Sequence, residues 1–151
     1  MSDDDFDLIL EREFDAPRAA VYRAFLDPDQ LAAWFGPETV HVPLESVDIE
    51  ASVGGHQRFD MVLNDDPRRR FATDAVFTEL VENEVIASEE TFDMGDGPVA
   101  MRARIEFRDA GPGRTRLTIR QGPHGGMLSG ARAGWGSSFT KLDALLAGRD
   151  A

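Results

Sequence analysis

The side chains best suited to proton transfer near neutral pH are three histidines, His41, His56 and His124. None stands at the HxxxH spacing of a zinc site, and with no cysteine in the chain there are no thiolate ligands, thiol nucleophiles or disulfides. His56 alternates with Gln57, Phe59 and Met61 on the side of Arg58 and Asp60, which points it to solvent. His41 stands between Val40 and Val42 and is expected to face away from them. Ser129, Ser137, Ser138 and Thr140 raise the question of a nucleophile. However, Gly136-Ser137-Ser138-Phe139 lacks the closing glycine of a G-x-S-x-G elbow and falls in a helical pattern. Small or capping hydroxyls are the expectation there. No catalytic residue and no metal ligand is therefore assigned, and no cofactor is expected. One carboxylate is of more interest than the rest. Glu79, Glu82, Glu84, Glu89, Glu90, Asp93 and Asp96 form an acidic tract, expected to keep two strands soluble and to guard the sheet edge. A member of it turned inward, Glu90 for instance, would have a raised pKa and could hold a polar ligand group or act as an acid. Arg68-Arg69-Arg70 follows a turn and reads as a solvated hairpin end.

The second chemical signal is apolar. Gly130-Ala131-Arg132-Ala133-Gly134-Trp135-Gly136 opens a helical segment that runs on to Leu146. Glycine costs a helix interior roughly 1 kcal/mol against alanine, so three of them beside a tryptophan imply close approach of the backbone to a sheet or a bound molecule. A long C-terminal helix closing over a curved surface, with Trp135 in the space between, is the expected arrangement. His124, in the glycine-broken stretch before that helix, would sit near the mouth.

The elements that must position these residues follow from periodicity. Phe6 to Phe14 mixes apolar and charged residues like a first strand. Asp15 and Pro17 suit a helix start, with Asp15 as the cap, and Val21, Tyr22, Phe25 and Leu26 form its apolar stripe. Asp27-Pro28 starts a second short helix that ends at Gly36-Pro37. Six strands are expected next: 40–50, closed by Gly54-Gly55, then one around Phe59, 70–80, 85–92, one around Ile105 and one around Leu117. Met101, Ala103, Ile105 and Phe107 alternate with Arg102, Arg104 and Glu106, the pattern of an antiparallel sheet with one solvated face. The long helix must cover the other face. The order is strand, two helices, six strands, long helix, and the class is α+β in a single domain over 1–151.

Composition narrows the partners. The formal charge is −12, which argues against nucleic acid or anionic lipid. No apolar run approaches the roughly 20 residues of a membrane span, and Asp3-Asp4-Asp5 is the reverse of a signal peptide, so a cytoplasmic location is expected. Ten phenylalanines supply a core.

Several ordered segments resemble a known family. Arg12 to Phe25 looks like its opening strand and helix, and Leu31-Ala32-Ala33-Trp34-Phe35-Gly36-Pro37 is similar to its second helix and following proline. Asp48, Val53-Gly54-Gly55 and Phe59 resemble its Gly-Gly hairpin, and Gly134-Trp135 with Leu142 and Leu145-Leu146 its C-terminal signature. The family is the heat-shock-protein-90 ATPase activator homologue-like group of the START/Bet v 1-like (SRPBCC) superfamily. The resemblance implies a helix-grip fold, a seven-stranded antiparallel sheet around the C-terminal helix, with an apolar cavity between them. Trp34, Phe35, Phe59, Met61, Phe77, Met101, Ile105, Trp135 and Phe139 are the residues expected to line it, since aromatics and methionines give large contact area at modest entropy cost. The implied function is binding of a hydrophobic, lipid- or polyketide-like small molecule. A polyketide cyclase or hydrolase, and a stress-related co-chaperone module, are the alternatives, and a homodimer stays open. Direct activation of a chaperone ATPase is not expected, because that name derives from a domain of a larger activator and this chain carries no second domain to reach around a chaperone.

Overall fold

The computed structural model describes residues 6–93, 97–123 and 128–148. Strand β1 (Leu8–Phe14) leads into helices α1 (Arg18–Leu26) and α2 (Pro28–Trp34). Two short strands follow, β2 (Val40–His41) and β3 (Asp48–Ile49), and then β4 (His56–Leu63), β5 (Arg70–Val81), β6 (Val85–Asp93), β7 (Pro98–Asp109) and β8 (Thr115–Gly122). Helix α3 (Leu128–Gly148) ends the chain. All pairs are antiparallel, in the order β1-β8-β7-β6-β5-β4-β2, with β3 beside β4. This is the expected α+β helix-grip architecture.

The expected strand over 40–50 is divided in two, so the sheet counts eight strands instead of seven. The cause is Pro43, which has no N–H for a ladder and instead heads the 3-10 turn Leu44–Ser46. Ser46 holds the break by donating its hydroxyl to the Pro43 carbonyl at 2.7 Å and accepting the Asp60 N–H at 3.1 Å.

Alternation sorts the strands into two faces. The inner face carries Phe14, Phe59, Phe77, Ile86, Met101, Ile105, Phe107, Leu117 and Ile119, all buried. The outer face is ionic: Glu106 gathers Arg104, Arg108 and Arg120, Arg104 also meets Glu79, and Arg70 meets Asp60. Exposed pairs of this kind are worth about 0–1 kcal/mol each and serve mainly to keep that face wet. His56 belongs to this face and is half-buried between Asp48 and Glu50. His41 is exposed against Asn64, while His124 lies outside the described residues.

The two short helices close one end. Pro17 itself caps α1, so Asp15 does not have the expected role. Asp27 does cap α2, accepting the Asp29 N–H at 3.0 Å, with Pro28 in the first turn. Two carbonyls near the end of α1 are satisfied by side chains: Trp34 donates to Ala24 O and Gln57 to Phe25 O, each at 2.8 Å. Those bonds tie both helices to the sheet. The sheet curls at a register shift between Phe77 and Glu79, beside the Gly54-Gly55 turn, which exchanges backbone hydrogen bonds with Phe77.

Phe139, Leu142 and Leu146 seat α3 on the inner face and are buried to 3 %, 0 % and 3 % exposure. The edge-on Phe14–Phe139 contact, at 5.4 Å between centroids, joins this seat to β1. Arg12 adds a further tie, placed over both rings and paired with Asp143.

The helix glycines do not approach the sheet. A Cβ built at Gly130, Gly134 or Gly136 meets no atom within 4 Å. Gly55 is different, since its Cβ would fall 2.2 Å from the Glu50 carbonyl oxygen. Gly136→Ala is therefore expected to raise stability by about 0.5–1 kcal/mol, whereas Gly55→Ala lowers it; urea denaturation of the two variants checks both signs.

Candidate functional site

The inner side of α3 does not meet the sheet evenly. Leu146, Leu142, Phe139 and Ser138 are buried, but Trp135, Gly134 and Ala131, one to two turns toward the N-terminus, are half-exposed. Exposure along this side of α3 thus rises from Leu146 toward Ala131. Nothing within 4 Å of Gly134 fills the place a side chain would take.

The nine residues expected to line a cavity divide along this gradient. Trp34 is fully buried, with its indole N–H used by Ala24, and belongs to the closed end. Phe77, Ile105 and Phe139 are core residues. Phe59 and Met101 are buried on the inner face, while Phe35, Met61 and Trp135 keep partial exposure. Phe35 links several of them, with ring centroids 5.3 Å from Trp34, 4.9 Å from Phe59 and 5.6 Å from Trp135. The ring contacts bring Phe35, Phe59 and Trp135 together, and Met61 keeps partial exposure.

A polar group stands among them. Register pairs Glu90 with Ala75 on one side and Met101 on the other, so its side chain points to the inner face as the alternative reading of the acidic tract required. Trp135 donates its indole N–H to Gln121 Oε1 at 3.0 Å, and Gln121 Nε2 donates to Glu90 Oε2 at 2.8 Å. Ser88 gives Glu90 a further hydrogen bond. The residue keeps some exposure, but its carboxyl is enclosed. Burial raises the Glu90 pKa above the ordinary carboxyl value, and the bonds from Gln121 and Ser88 oppose this only in part. Gln121 and Ser88 escaped the sequence reading. Their signal was parity, since Gln121 continues Leu117 and Ile119, and Ser88 lies between Ile86 and Glu90 on the inward series.

The hydroxyls of α3 have structural duties. Ser137 accepts the Glu38 N–H at 2.8 Å, Ser138 donates to Gly134 O and Thr140 to Gly136 O. The lone lysine, Lys141, reaches the Pro37 carbonyl, and burial lowers its pKa against the opposing pull of Glu38. Among the described residues no cluster of three or more His, Asp or Glu side chains could hold a metal ion, and no helix is long and apolar enough to cross a membrane. Two concavities lie elsewhere. One, of about 430 Å³, is of mixed character and set among Phe6, Glu79, Arg102, Arg104 and Arg120; the other, an open groove of about 1300 Å³, runs between α1 and the end of α3.

The Glu90 proton is held more tightly in the native state than in the unfolded chain. Stability must therefore fall as pH rises from the ordinary carboxyl range through the raised native value, and level off above it. Glu90→Gln removes that loss. Its unfolding free energy relative to the parent should climb over the range from the ordinary carboxyl pKa to the raised native value, by about 1.4 kcal/mol for each tenfold difference in proton affinity between the two states. Equal differences at both ends of that range would contradict the assignment.

Comparison with known proteins agrees with this fold. A crystal structure from Chromobacterium violaceum is 29% identical, with a TM-score of 0.78, over 92% of this chain and 96% of that one. A protein of the AHSA1 name from Silicibacter pomeroyi is 25% identical, with a TM-score of 0.76 over 93% and 96% of the two chains. A Mycobacterium smegmatis protein shares the fold at a TM-score of 0.82 and 24% identity, over 98% and 95%. No protein of curated function matches. The family model described as Activator of Hsp90 ATPase homolog 1-like protein matches residues 15–147, and the chain belongs to that family.

Proposed function

We propose that this protein binds a hydrophobic small molecule, lipid- or polyketide-like, between the inner face of the sheet and the N-terminal half of α3. The observation that carries the reading is the gradient along one helix face, from Leu142 at 0 % exposure to half-exposed Trp135, Gly134 and Ala131, with open space at Gly134. A helix whose only task was to complete a core would gain by burying Trp135 as deeply as Phe139. Leaving an indole, a thioether and a phenyl ring partly uncovered has a cost, about 25 cal/mol for each Å² of apolar surface left in water, which a bound apolar molecule recovers. Phe35, Met61 and Trp135 are the contact surfaces in this reading, with Phe59 and Met101 behind them.

Surface character favours a ligand over a protein partner. The large apolar side chains exposed among the described residues are Ile9, Leu44, Val53, Val76 and Val81, distributed over β1, the 3-10 turn, the Gly54 turn and β5. Scattered exposure of this kind is ordinary for a soluble surface.

The uncharged fluorescent probe N-phenyl-1-naphthylamine tests the site. Its emission should rise on binding the parent protein. Trp135→Ala should weaken binding roughly tenfold or more, as loss of a large buried ring contact does, while Arg69→Ala leaves it unchanged. Gly134→Leu should block it by occupying the space. Equal affinities in the parent, Trp135→Ala and Gly134→Leu would remove the site from beneath α3.

A further inference from the structure

Resting on that reading, we propose that Glu90, Gln121 and Trp135 form a polar recognition site at the floor of the open half, selecting apolar molecules that carry an uncharged carbonyl group, such as ketones and esters, over carboxylates. Three observations support it, beginning with the orientation of the amide. The Trp135 indole nitrogen can only donate, so the Gln121 oxygen must face it and the Gln121 amide nitrogen must face Glu90. A freely rotating glutamine would read donors and acceptors alike. This one is locked with its donor end toward the carboxyl.

The second observation is the donor balance at Glu90. The Gln121 amide and Ser88 both donate to its carboxyl, so part of its accepting capacity is met from the protein. In the neutral form, which burial favours, the carboxyl adds one O–H donor. A ligand carbonyl is the complement of that donor. A neutral ligand also avoids bringing a negative charge into an enclosure that disfavours one.

The third, among the described residues, is the absence of a cation to receive an anion. The described groups placed beside Glu90 are Ser88 from its own strand, Ala75 from β5, Met101 from β7 and Gln121 from β8, with Trp135 of α3 behind Gln121. The charged neighbours on those strands, Asp74, Glu89, Arg102 and Arg120, alternate onto the outer face, and Arg132 of α3 is exposed. The inner-face cation, Arg12, lies at the closed end, between Phe14 and Phe139 and paired with Asp143. Among the described residues no positive side chain faces the floor of the open half. A carboxylate buried there would lose its hydration without a partner.

The test uses the full chain with N-phenyl-1-naphthylamine as reporter and two competitors of equal length, 2-undecanone and undecanoic acid. At about pH 7 the ketone should displace the reporter at roughly tenfold lower concentration than the acid, the scale of one hydrogen bond gained or one charge left unpaired. Ketone affinity should fall as pH is raised through the Glu90 titration, because an ionised Glu90 no longer donates. Glu90→Gln keeps a neutral amide donor at that position and should retain ketone binding while losing its pH dependence. Acid binding as tightly as ketone, or the same pH response in Glu90→Gln as in the parent, would overturn the inference and leave an apolar site standing. Failure of the reporter itself to bind would overturn both.

Discussion

Everything else in this fold depends on how α3 is seated. Phe139, Leu142 and Leu146 lie on one helical face and are buried against an inner face built from Phe14, Leu117 and Ile119. Side chains of this size are each worth about 1.5–3 kcal/mol when fully buried, so three of them fix the C-terminal half of the helix without help from the rest. Arg12 strengthens the same end, its guanidinium held over two rings and against Asp143. On the α2 side, Ser137 and Lys141 take the Glu38 N–H and the Pro37 carbonyl. With the helix secured at one end, its other end meets the sheet through the Trp135–Gln121 hydrogen bond.

That division separates stability from recognition within one element. The outer face of the sheet spends its charge on ion pairs that water can reach, and Glu106 alone gathers three arginines. The inner face is apolar almost throughout, and a carboxyl there is a liability unless it is hydrogen-bonded or neutral. Glu90 has the bonds from Gln121 and Ser88, and burial raises its pKa and so favours the neutral form. A polar group retained on the inner face, at the part of the sheet that α3 leaves uncovered, is where the fold departs from simple core packing.

Much of this was legible in the sequence because strand periodicity is strict. The alternation of Met101, Ala103, Ile105 and Phe107 with arginines set the face of β7, and through the register it sets the face of every neighbour. Asp27-Pro28 marked a helix start because the cap and the proline each meet a local geometric need. The rest was not local. Pro43 divides a strand whose apolar pattern continues past it, and nothing in that pattern says which carbonyl Ser46 will take up. The glycines of α3 implied close approach, yet the same missing side chains equally allow open space, and only the packing decides between them. Gln121 was hidden because polar residues on an inward series read as the end of a strand until a partner such as Glu90 is found across two ladders.

Trp135 and Phe139 stand one turn apart on α3, with ring centroids 5.6 Å apart, yet they play different parts. Phe139 is locked edge-on against Phe14 at 5.4 Å and has no polar atom to place. Trp135 has an indole N–H, and in the interior that donor must find an acceptor or cost the fold about 1–3 kcal/mol. Gln121 supplies the acceptor, which draws the amide into line with Glu90 and keeps the ring tilted at the rim instead of packed beneath the helix. A phenylalanine at 135 would satisfy the core equally well and leave Gln121 free to turn. The choice of tryptophan therefore links the seat of the helix to the polar floor of the open half, so that the same residue limits how far α3 settles and fixes the direction in which the site donates.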